Sequence, residues 1–190
     1  AADPGARGDL FDERRDPQAM ETYAQRNLLF ANRLRESGEP VTEEVGASSG
    51  PGLARLAVSR GASWADYDND GDVDILVTSL DSGPSLLVNQ AAMALPALRL
   101  TLVGQTSNRS AYGARVRVSS GGISQVVEIR HSDGYLGSND TRALIFLPAG
   151  HADSIQITWP SGATTVLTDI GPGHILVDEI RGLSAASPPR

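Results

Sequence analysis

Five aspartates at alternate positions are the residues of this sequence best suited to chemistry. They lie in the stretch WADYDNDGDVDILV, residues 64–77, and are Asp66, Asp68, Asp70, Asp72 and Asp74. Like charges this close repel one another, and a divalent cation among them would offset the repulsion. The nearby ligands are all hard oxygens, with no His or Cys beside them, so the pattern favours Ca²⁺.

The spacing resembles the first half of an EF-hand loop. With Asp66 as position 1, carboxylates fall at positions 1, 3, 5 and 9, and Gly71 falls at 6. An EF-hand also uses 1, 3 and 5, a glycine at 6 for a sharp turn, and the backbone carbonyl at 7, here that of Asp72. A glycine adopts positive φ without steric cost. The EF-hand glutamate at 12 is replaced by Val77, so we expect Asp74 to supply the closing carboxylate.

Two other interpretations of the acidic stretch exist. Asp, Asn and Gly favour turns whether or not a metal is present, so the stretch could be a solvated acidic turn. A pair of its carboxylates could also act as a catalytic acid and base. Five neighbouring acids on one turn suit a cation better than a pair with separated pKa values.

The elements that flank the aspartates read as strands. Alternation of apolar and polar residues predicts eleven strands from residue 53 onward, and Gly- and Pro-rich turns separate many of them. Trp64 and Trp159 lie on such strands and are expected in the core. The predicted strands are LARLAVS, GASWADY, DILVTSL, SLLVNQ, LRLTLVG, ARVRVSS, SQVVEIR, ALIFLPA, SIQITWP, TTVLTDI and HILVDEI. Short strands at this spacing indicate an all-β sandwich, barrel or propeller.

The rest of the chain suggests four segments. Residues 1–19 read as a flexible arm in which Arg7-Gly8-Asp9 is a chance tripeptide, and 20–92 as a repeat region with the calcium loop. Residues 93–181 are expected to form a separate β domain, and 182–190 a disordered tail. Residues 19–36 fit either an amphipathic helix or a short strand in NLLFAN. LFAN and LLVN, 57 residues apart, suit the period of a propeller blade.

Composition excludes several functions. Lys and Arg total 16 against 23 Asp and Glu, a net charge of -7 that disfavours nucleic-acid binding. The absence of cysteine excludes disulfides, thiolate metal sites and a cysteine nucleophile. No apolar run approaches the roughly 18 residues of a membrane span. No signal peptide is visible at the first residues, so the chain is expected to be cytosolic or a trimmed piece of an exported protein.

Other candidate residues carry weaker patterns. A loop that mixes an aromatic with polar groups could bind a sugar or peptide, and its residues are Tyr135, Ser138, Asn139 and Asp140. The glycosylation triplets at residues 108–110 and 139–141 fit turn chemistry better. The three histidines are expected at the surface or as caps. No nucleophile elbow, phosphate loop or H-E-x-x-H motif occurs, so we expect no enzymatic activity.

Two family resemblances follow from these motifs. SRGASWADYDNDGDVDILVTSLDSGPSLLVNQ resembles a blade of the FG-GAP/VCBS-like repeats, whose calcium loops read D-x-D-x-D-G-x-x-D. The downstream segment is similar to the ASPIC/UnbV domain, through SNRSAYGARV, GYLGSND and WPSG. LIFLPAG departs from that family's usual F-G-L-G string. This order of repeat and domain resembles that of the cartilage acidic protein-like family.

The resemblance implies a calcium-stabilised, secreted protein. The expected architecture is all-β, with an incomplete β-propeller-type blade region and a C-terminal sandwich or barrel-like domain. A propeller needs about four blades or more, so the chain is expected to be a fragment or subunit. The C-terminal domain or another chain would then cover the sheet edge of residues 53–90.

The implied role is adhesion or protein assembly at an extracellular, cell-surface or periplasmic location. The expected partners are other chains or the missing blades, with a glycan as a further candidate ligand. The alternative function is a carbohydrate-binding accessory module or a fragment of a secreted hydrolase.

Overall fold

The computed structural model describes residues 23–33, 38, 40–80, 82–90 and 95–185. Nearly all their regular structure is β, which confirms the predicted all-β class. A four-residue helix, α1 (Pro51–Ala54), is present. The strands are β1 (Gln25–Arg26), β2 (Phe30–Asn32), β3 (Thr42–Glu44), β4 (Leu56–Ala57), β5 (Ser59–Ala65), β6 (Asp74–Ser79), β7 (Ser85–Leu87), β8 (Ala97–Val103), β9 (Arg115–Ser120), β10 (Ile123–Glu128), β11 (Ala143–Phe146), β12 (Ala152–Thr158), β13 (Thr164–Ile170), β14 (Gly173–Asp178) and β15 (Gly182–Ala185).

The eleven strands expected after residue 53 are all present, as β4 to β14. Within residues 19–36, the described part contains β1 and β2, and β2 lies in the NLLFAN segment that was expected to be a short buried strand. The expected burial is wrong, since Phe30 is 57% exposed. Residues 182–185, expected in a disordered tail, instead form β15. They pair with β14, whose edge offers backbone donors and acceptors that need partners. The predicted arm at 1–19 lies outside the described residues.

Contacts along the chain define two compact units. The first comprises the described parts of Ala1–Gly61 and Val77–Leu87. In it β1 pairs with β4 and β2 pairs with β3, both antiparallel. The Arg26 guanidinium donates to both oxygens of Glu44 at 3.1 and 2.9 Å. Large apolar side chains nevertheless remain more than half exposed, among them Tyr23, Leu28, Phe30 and Leu56.

The second unit, the described parts of Ala62–Leu76 and Val88–Arg190, contains the main core. One sheet has the order β10-β9-β12-β13, and the other has the order β11-β8-β14-β15 with β8 and β14 parallel. Alternate residues of each sheet point inward, which produces one shared apolar cluster. Its members include Leu98, Leu100, Val116, Val118, Ile145, Ile155, Ile157, Trp159 and Val177. Two sheets around a common core match the predicted sandwich, and the described strands form no closed barrel.

The acidic loop joins β5 to β6 in a sheet of order β5-β6-β7. Exposure alternates along β5, with Gly61, Ser63 and Ala65 on the less exposed side. This alternation leaves Trp64 on the other side, 40% exposed, so its predicted core position is wrong. The prediction for Trp159 is confirmed, because that side chain is only 2% exposed. No helix in the described part of the chain is long and apolar enough to cross a membrane.

Candidate metal centre

Three of the five predicted aspartates bring carboxylate oxygens together. One oxygen from each of Asp66, Asp68 and Asp70 lies within 4.8 Å of the others. Calcium binds oxygens at 2.3–2.6 Å, so two ligands of one ion lie at most about 5 Å apart. Asp66 is buried, whereas Asp68 and Asp70 are exposed. The cluster therefore has the dimensions of a single cation site with one inner and two outer carboxylates.

Buried oxygens without partners mark the inner side of this loop. Asp66 Oδ1 and both carboxylate oxygens of Asp72 are buried and have no hydrogen-bond partner among the described residues. Burial raises the pKa of Asp72, and the charges of the other loop aspartates, Asp70 first, raise it further. Hard oxygens short of partners are the donor set that a calcium ion requires. The residues present thus fit this ion.

The loop is shaped by short-range hydrogen bonds from its own aspartates. Asp68 Oδ1 accepts the Asp70 N–H at 3.3 Å, and Asp70 Oδ1 accepts the Asp72 N–H at 3.0 Å. Gly71 has a φ of 101°, the positive value predicted for position 6. Asn69 also adopts a left-handed conformation, with a φ of 63°. These turns hold alternate carboxylates on one side of the loop.

Asp74 ties the base of the loop. Its Oδ2 accepts the Tyr67 N–H at 2.9 Å, and its Oδ1 accepts the Asn89 N–H at 2.8 Å. The side chain is 2% exposed. In this arrangement Asp74 connects the start of the loop, at Tyr67, to the segment that follows β7, at Asn89. Its predicted role as closing metal ligand, like that of the Asp72 carbonyl, stays a prediction.

Two arginines that the sequence analysis missed contact the loop from other segments of the second unit. Arg99 on β8 donates through Nη1 to Asp66 Oδ2 at 2.9 Å and to the Asn69 carbonyl at 2.6 Å. Arg142 donates to Asn69 Oδ1 at 2.8 Å and to the Asp66 carbonyl at 3.0 Å. One signal pointed to Arg99, since it interrupts the apolar strand ALRLTLV on the side opposite the buried leucines. Nothing local distinguished Arg142.

The predicted ligand-binding loop is only partly exposed. Tyr135 is 65% exposed, and the hydroxyl of exposed Ser138 donates to the His131 carbonyl. Asn139, expected on an exposed loop, is instead buried, because its Oδ1 accepts the Trp64 N–H at 3.2 Å. Asp140, likewise expected to be exposed, is half-buried.

The groups around Asp140 explain its burial. Its carboxylate accepts from Arg142 Nε at 2.7 Å, and its N–H donates to the Trp64 carbonyl at 3.1 Å. The loop thus continues the backbone bonding of β5. Two of its glycines permit that contact, because a Cβ on Gly134 would lie 2.7 Å from the Ala62 carbonyl oxygen and one on Gly137 2.5 Å from Ser63 Oγ.

A small cavity within the second unit lies between the acidic 66–74 loop and the segment of residues 139–144. Its volume is about 170 Å³. Asn139 Nδ2 is buried and has no hydrogen-bond partner among the described residues. The side chains that line the cavity include Trp64, Asp66, Arg99, Asn139, Asp140 and Arg142. Its lining of carboxylates and arginines beside an aromatic ring suits a small polar ligand.

The carboxylate of Glu179, outside the 66–74 loop, has an environment opposite to that of Asp72. Its Oε2 accepts the backbone N–H groups of Gln105, Thr106 and Ser107 at 2.7–2.8 Å. Its Oε1 accepts the hydroxyls of Ser107 and Ser161 at 2.8 and 2.7 Å. Partial burial acts to raise the pKa of Glu179, but these hydrogen bonds outweigh it and lower the pKa to about 2. Glu179 is thus a partly exposed anion that connects its own segment to residues 105–107 and to Ser161.

The remaining sequence candidates have structural partners. His174 Nε2 lies 2.8 Å from Thr101 Oγ1, and burial, followed by the charges of nearby arginines, lowers the pKa of His174. His151 lies 3.1 Å from Asp153. The Asn108 side chain bonds the backbone of a residue four positions on, which supports turn chemistry for that glycosylation triplet. Asn139 of the other triplet is buried.

Comparison with known proteins finds a family match for part of this chain. Residues 104–179 match the family described as ASPIC and UnbV. The chain is also 26% identical, over 149 residues, to "Cartilage acidic protein 1" from Mus musculus. That similarity covers 72% of this chain and 21% of the mouse protein, so the chain spans about a fifth of its relative's length. SNRSAYGARV, GYLGSND and WPSG all lie inside the matched range, so the expected similarity of this segment to an ASPIC/UnbV domain is confirmed.

Proposed function

We propose that the 66–74 loop binds one Ca²⁺ and that the chain is a non-enzymatic extracellular module for adhesion or protein assembly. One observation carries the metal proposal: oxygens of Asp66, Asp68 and Asp70 converge within 4.8 Å, and buried Asp66 Oδ1 has no partner in the described structure. A buried oxygen without a hydrogen-bond partner is costly, even where the other oxygen of the same carboxylate is paired, as Asp66 Oδ2 is with Arg99. A cation would supply the missing partner.

The proposed ion would act on the connection between two strands. Asp66 follows β5 directly, and Asp74 is the first residue of β6. When bound, calcium would neutralise the mutual repulsion of the loop carboxylates. The residues of the chain provide the turn: Gly71 makes the bend, and Asp74 holds the backbone at its base. The metal's structural effect would therefore be to fix β5 against β6.

The proposed extracellular location is supported by the expected calcium affinity of the loop as well as by the ASPIC/UnbV match. The loop lacks the bidentate glutamate of an EF-hand, since Val77 occupies that position. Fewer charged ligands predict weak binding, and extracellular calcium modules have dissociation constants of roughly 10⁻⁴ to 10⁻³ M. Such a site would fill only where calcium is abundant, as it is outside cells. The ASPIC/UnbV match is in keeping with this location.

The proposed architecture is the end of a propeller. We interpret residues 59–90 as an FG-GAP/VCBS-like blade, on the strand-loop-strand arrangement of the aspartates. The matched relative is about five times as long as the region aligned, which leaves room for further blades. The exposed apolar side chains of the first unit, such as Phe30 and Leu56, are the surface that missing blades or a partner chain would cover.

Thermal unfolding tests the calcium proposal. A ligand that binds only the folded state stabilises it by RT ln(1 + [L]/Kd), so about 10 mM Ca²⁺ at the expected affinity should add roughly 1.4–2.7 kcal/mol. For a chain of this size, the midpoint should rise by about 3–10 °C over its value in EDTA. Mg²⁺ at the same concentration should have a smaller effect, because it demands tighter octahedral geometry.

The matched variant is Asp68→Asn with Asp70→Asn. Both residues are exposed, and Asn keeps the side-chain oxygens that accept the Asp70 and Asp72 N–H groups, so the fold should persist. The double variant should lose the calcium-dependent rise. Asp169→Asn, at an exposed position with a φ of 54° that Asn tolerates, should retain it. An equal rise in both variants would place calcium elsewhere.

The cavity beside the loop favours carbohydrate binding as the second candidate function. Trp64 lines this cavity and is 40% exposed, so its ring could stack on a sugar, and the charged side chains of the lining could bond sugar hydroxyls. A glycan array probed with and without Ca²⁺ would separate the two functions. Binding of a defined glycan that Trp64→Ala abolishes would support the carbohydrate module, whereas an array without signal would favour the assembly module.

A further inference from the structure

Arg99 has an unusual position for a residue beside a cation site. Its Nη1 lies 2.9 Å from Asp66 Oδ2, and the two side chains are 20% and 2% exposed. Asp66 is also the innermost carboxylate of the three that converge. A guanidinium therefore already supplies positive charge to the carboxylate of that cluster that is least accessible to water.

The two oxygens of Asp66 have different partners. Oδ2 accepts the hydrogen bond from Arg99, whereas Oδ1 is buried and without a partner in the described structure. The same Nη1 of Arg99 reaches the Asn69 carbonyl at 2.6 Å, so one guanidinium nitrogen links the start of the loop to its bend. This contact can keep the loop closed when no metal is bound.

We propose that Arg99 is a built-in counter-ion that substitutes for calcium in the metal-free loop and lowers the loop's calcium affinity. This inference rests on the proposed calcium site. A guanidinium and a divalent ion on opposite oxygens of one carboxylate repel each other over a few ångströms in a partly buried setting. Arg99 thereby stabilises the metal-free loop, and the same charge opposes the metal.

Arg142 provides a contrast within the same loop. It contacts the Asp66 carbonyl and Asn69 Oδ1, and its other hydrogen bonds in the described structure go to Asp140. None of these acceptors is a carboxylate oxygen of the 66–74 loop, so Arg142 acts on the loop mainly by holding its backbone, although its charge also interacts with Asp66. Removal of Arg142 should loosen the loop without freeing a ligand atom, so calcium should bind more weakly. The two arginines are therefore expected to affect affinity in opposite directions.

The test measures calcium binding by isothermal titration together with the unfolding midpoint in EDTA. Arg99→Gln should lower the midpoint in EDTA and yet bind Ca²⁺ at least about fivefold more tightly than wild type. Arg99→Lys keeps the charge and should restore affinity towards the wild-type value. Arg142→Gln should bind more weakly. Arg117→Gln, an exposed strand arginine on β9, is the matched control and should change neither quantity.

The outcomes separate the two proposals. If wild type binds Ca²⁺ and Arg99→Gln binds with unchanged or weaker affinity, the counter-ion role is overturned and the calcium site stands. If neither protein binds Ca²⁺, the proposed calcium site is overturned, and so is the counter-ion role of Arg99. An Arg99→Gln variant that fails to fold in EDTA but folds and binds tightly when Ca²⁺ is added would support the exchange.

Discussion

The second unit contains two carboxylate sites, Glu179 and the 66–74 loop, with opposite electrostatics. Glu179 accepts five hydrogen bonds, and its pKa is lowered to about 2. Asp72 has two buried oxygens without a described partner, and its pKa is raised by burial and by neighbouring carboxylates. The first charge is fully compensated by the chain, whereas the second is not.

The contrast separates a structural anion from a candidate binding site. Around Glu179, backbone N–H groups of residues 105–107 and a hydroxyl from the WPSG motif supply the partners that the carboxylate needs. In the 66–74 loop, by contrast, one oxygen of Asp66 and both oxygens of Asp72 are buried without a partner in the described structure. Buried oxygens that lack partners are the place where we expect an external ion to stabilise the fold. We therefore expect the stability of the protein to respond differently to mutation, pH and calcium at these two sites.

The largest effect is expected from Glu179→Ala. This change leaves three backbone N–H groups and the hydroxyls of Ser107 and Ser161 without their acceptor, so the unfolding midpoint should fall by many degrees. The fall should be the same in Ca²⁺ and in EDTA, because Glu179 is not part of the loop. Glu128→Ala, which removes a surface pair with Arg130, is the control and should change little. A small effect of Glu179→Ala would contradict its anchoring role.

A pH series should show the next largest difference. The pKa of Glu179 is lower in the folded state than its ordinary value of 4.5. Its stabilisation is therefore fully present above about pH 4.5 and is lost as pH falls through about 2. Glu179→Gln lacks this contribution. The difference in unfolding free energy between wild type and variant should therefore become smaller as the pH falls from about 4.5 to about 2. Urea unfolding in EDTA measures it, and a gap independent of pH would count against the prediction.

The smallest effect is expected from Asp72→Asn. Replacement of this carboxylate removes a buried charge that the other aspartates repel, so the midpoint in EDTA should rise by about 2–4 °C, or ~1 kcal/mol for a chain of this size. With Ca²⁺ present the gain should shrink or reverse, because the ion already offsets the repulsion. Differential scanning fluorimetry in both conditions measures the change. A lower midpoint in EDTA would show that the loop is not under electrostatic strain.

Period-two patterns predicted most of the strands, since alternation along a strand is a local property of the sequence. The interior position of Trp159 followed from the same rule. Trp64 did not, because alternation cannot tell which side of a strand will be covered. The bend at Gly71 was predictable, since only the local backbone sets it.

The surroundings of the loop were not predictable in this way. Arg99 lies thirty-three positions from the carboxylate it contacts, and Arg142 lies seventy-six from the carbonyl it binds. Only the pairing of distant strands brings such residues together. The burial of Asn139 was missed for the same reason. Its side chain accepts a hydrogen bond from Trp64, which lies seventy-five positions away in the sequence.

A high-resolution crystal structure of the chain soaked in CaCl₂ would show whether the 66–74 loop binds calcium. We expect one ion in the 66–74 loop, at 2.3–2.6 Å from oxygens of Asp66, Asp68 and Asp70. Carboxylates turned out into solvent around a loop without an ion, in crystals that hold calcium at saturating concentration, would contradict it.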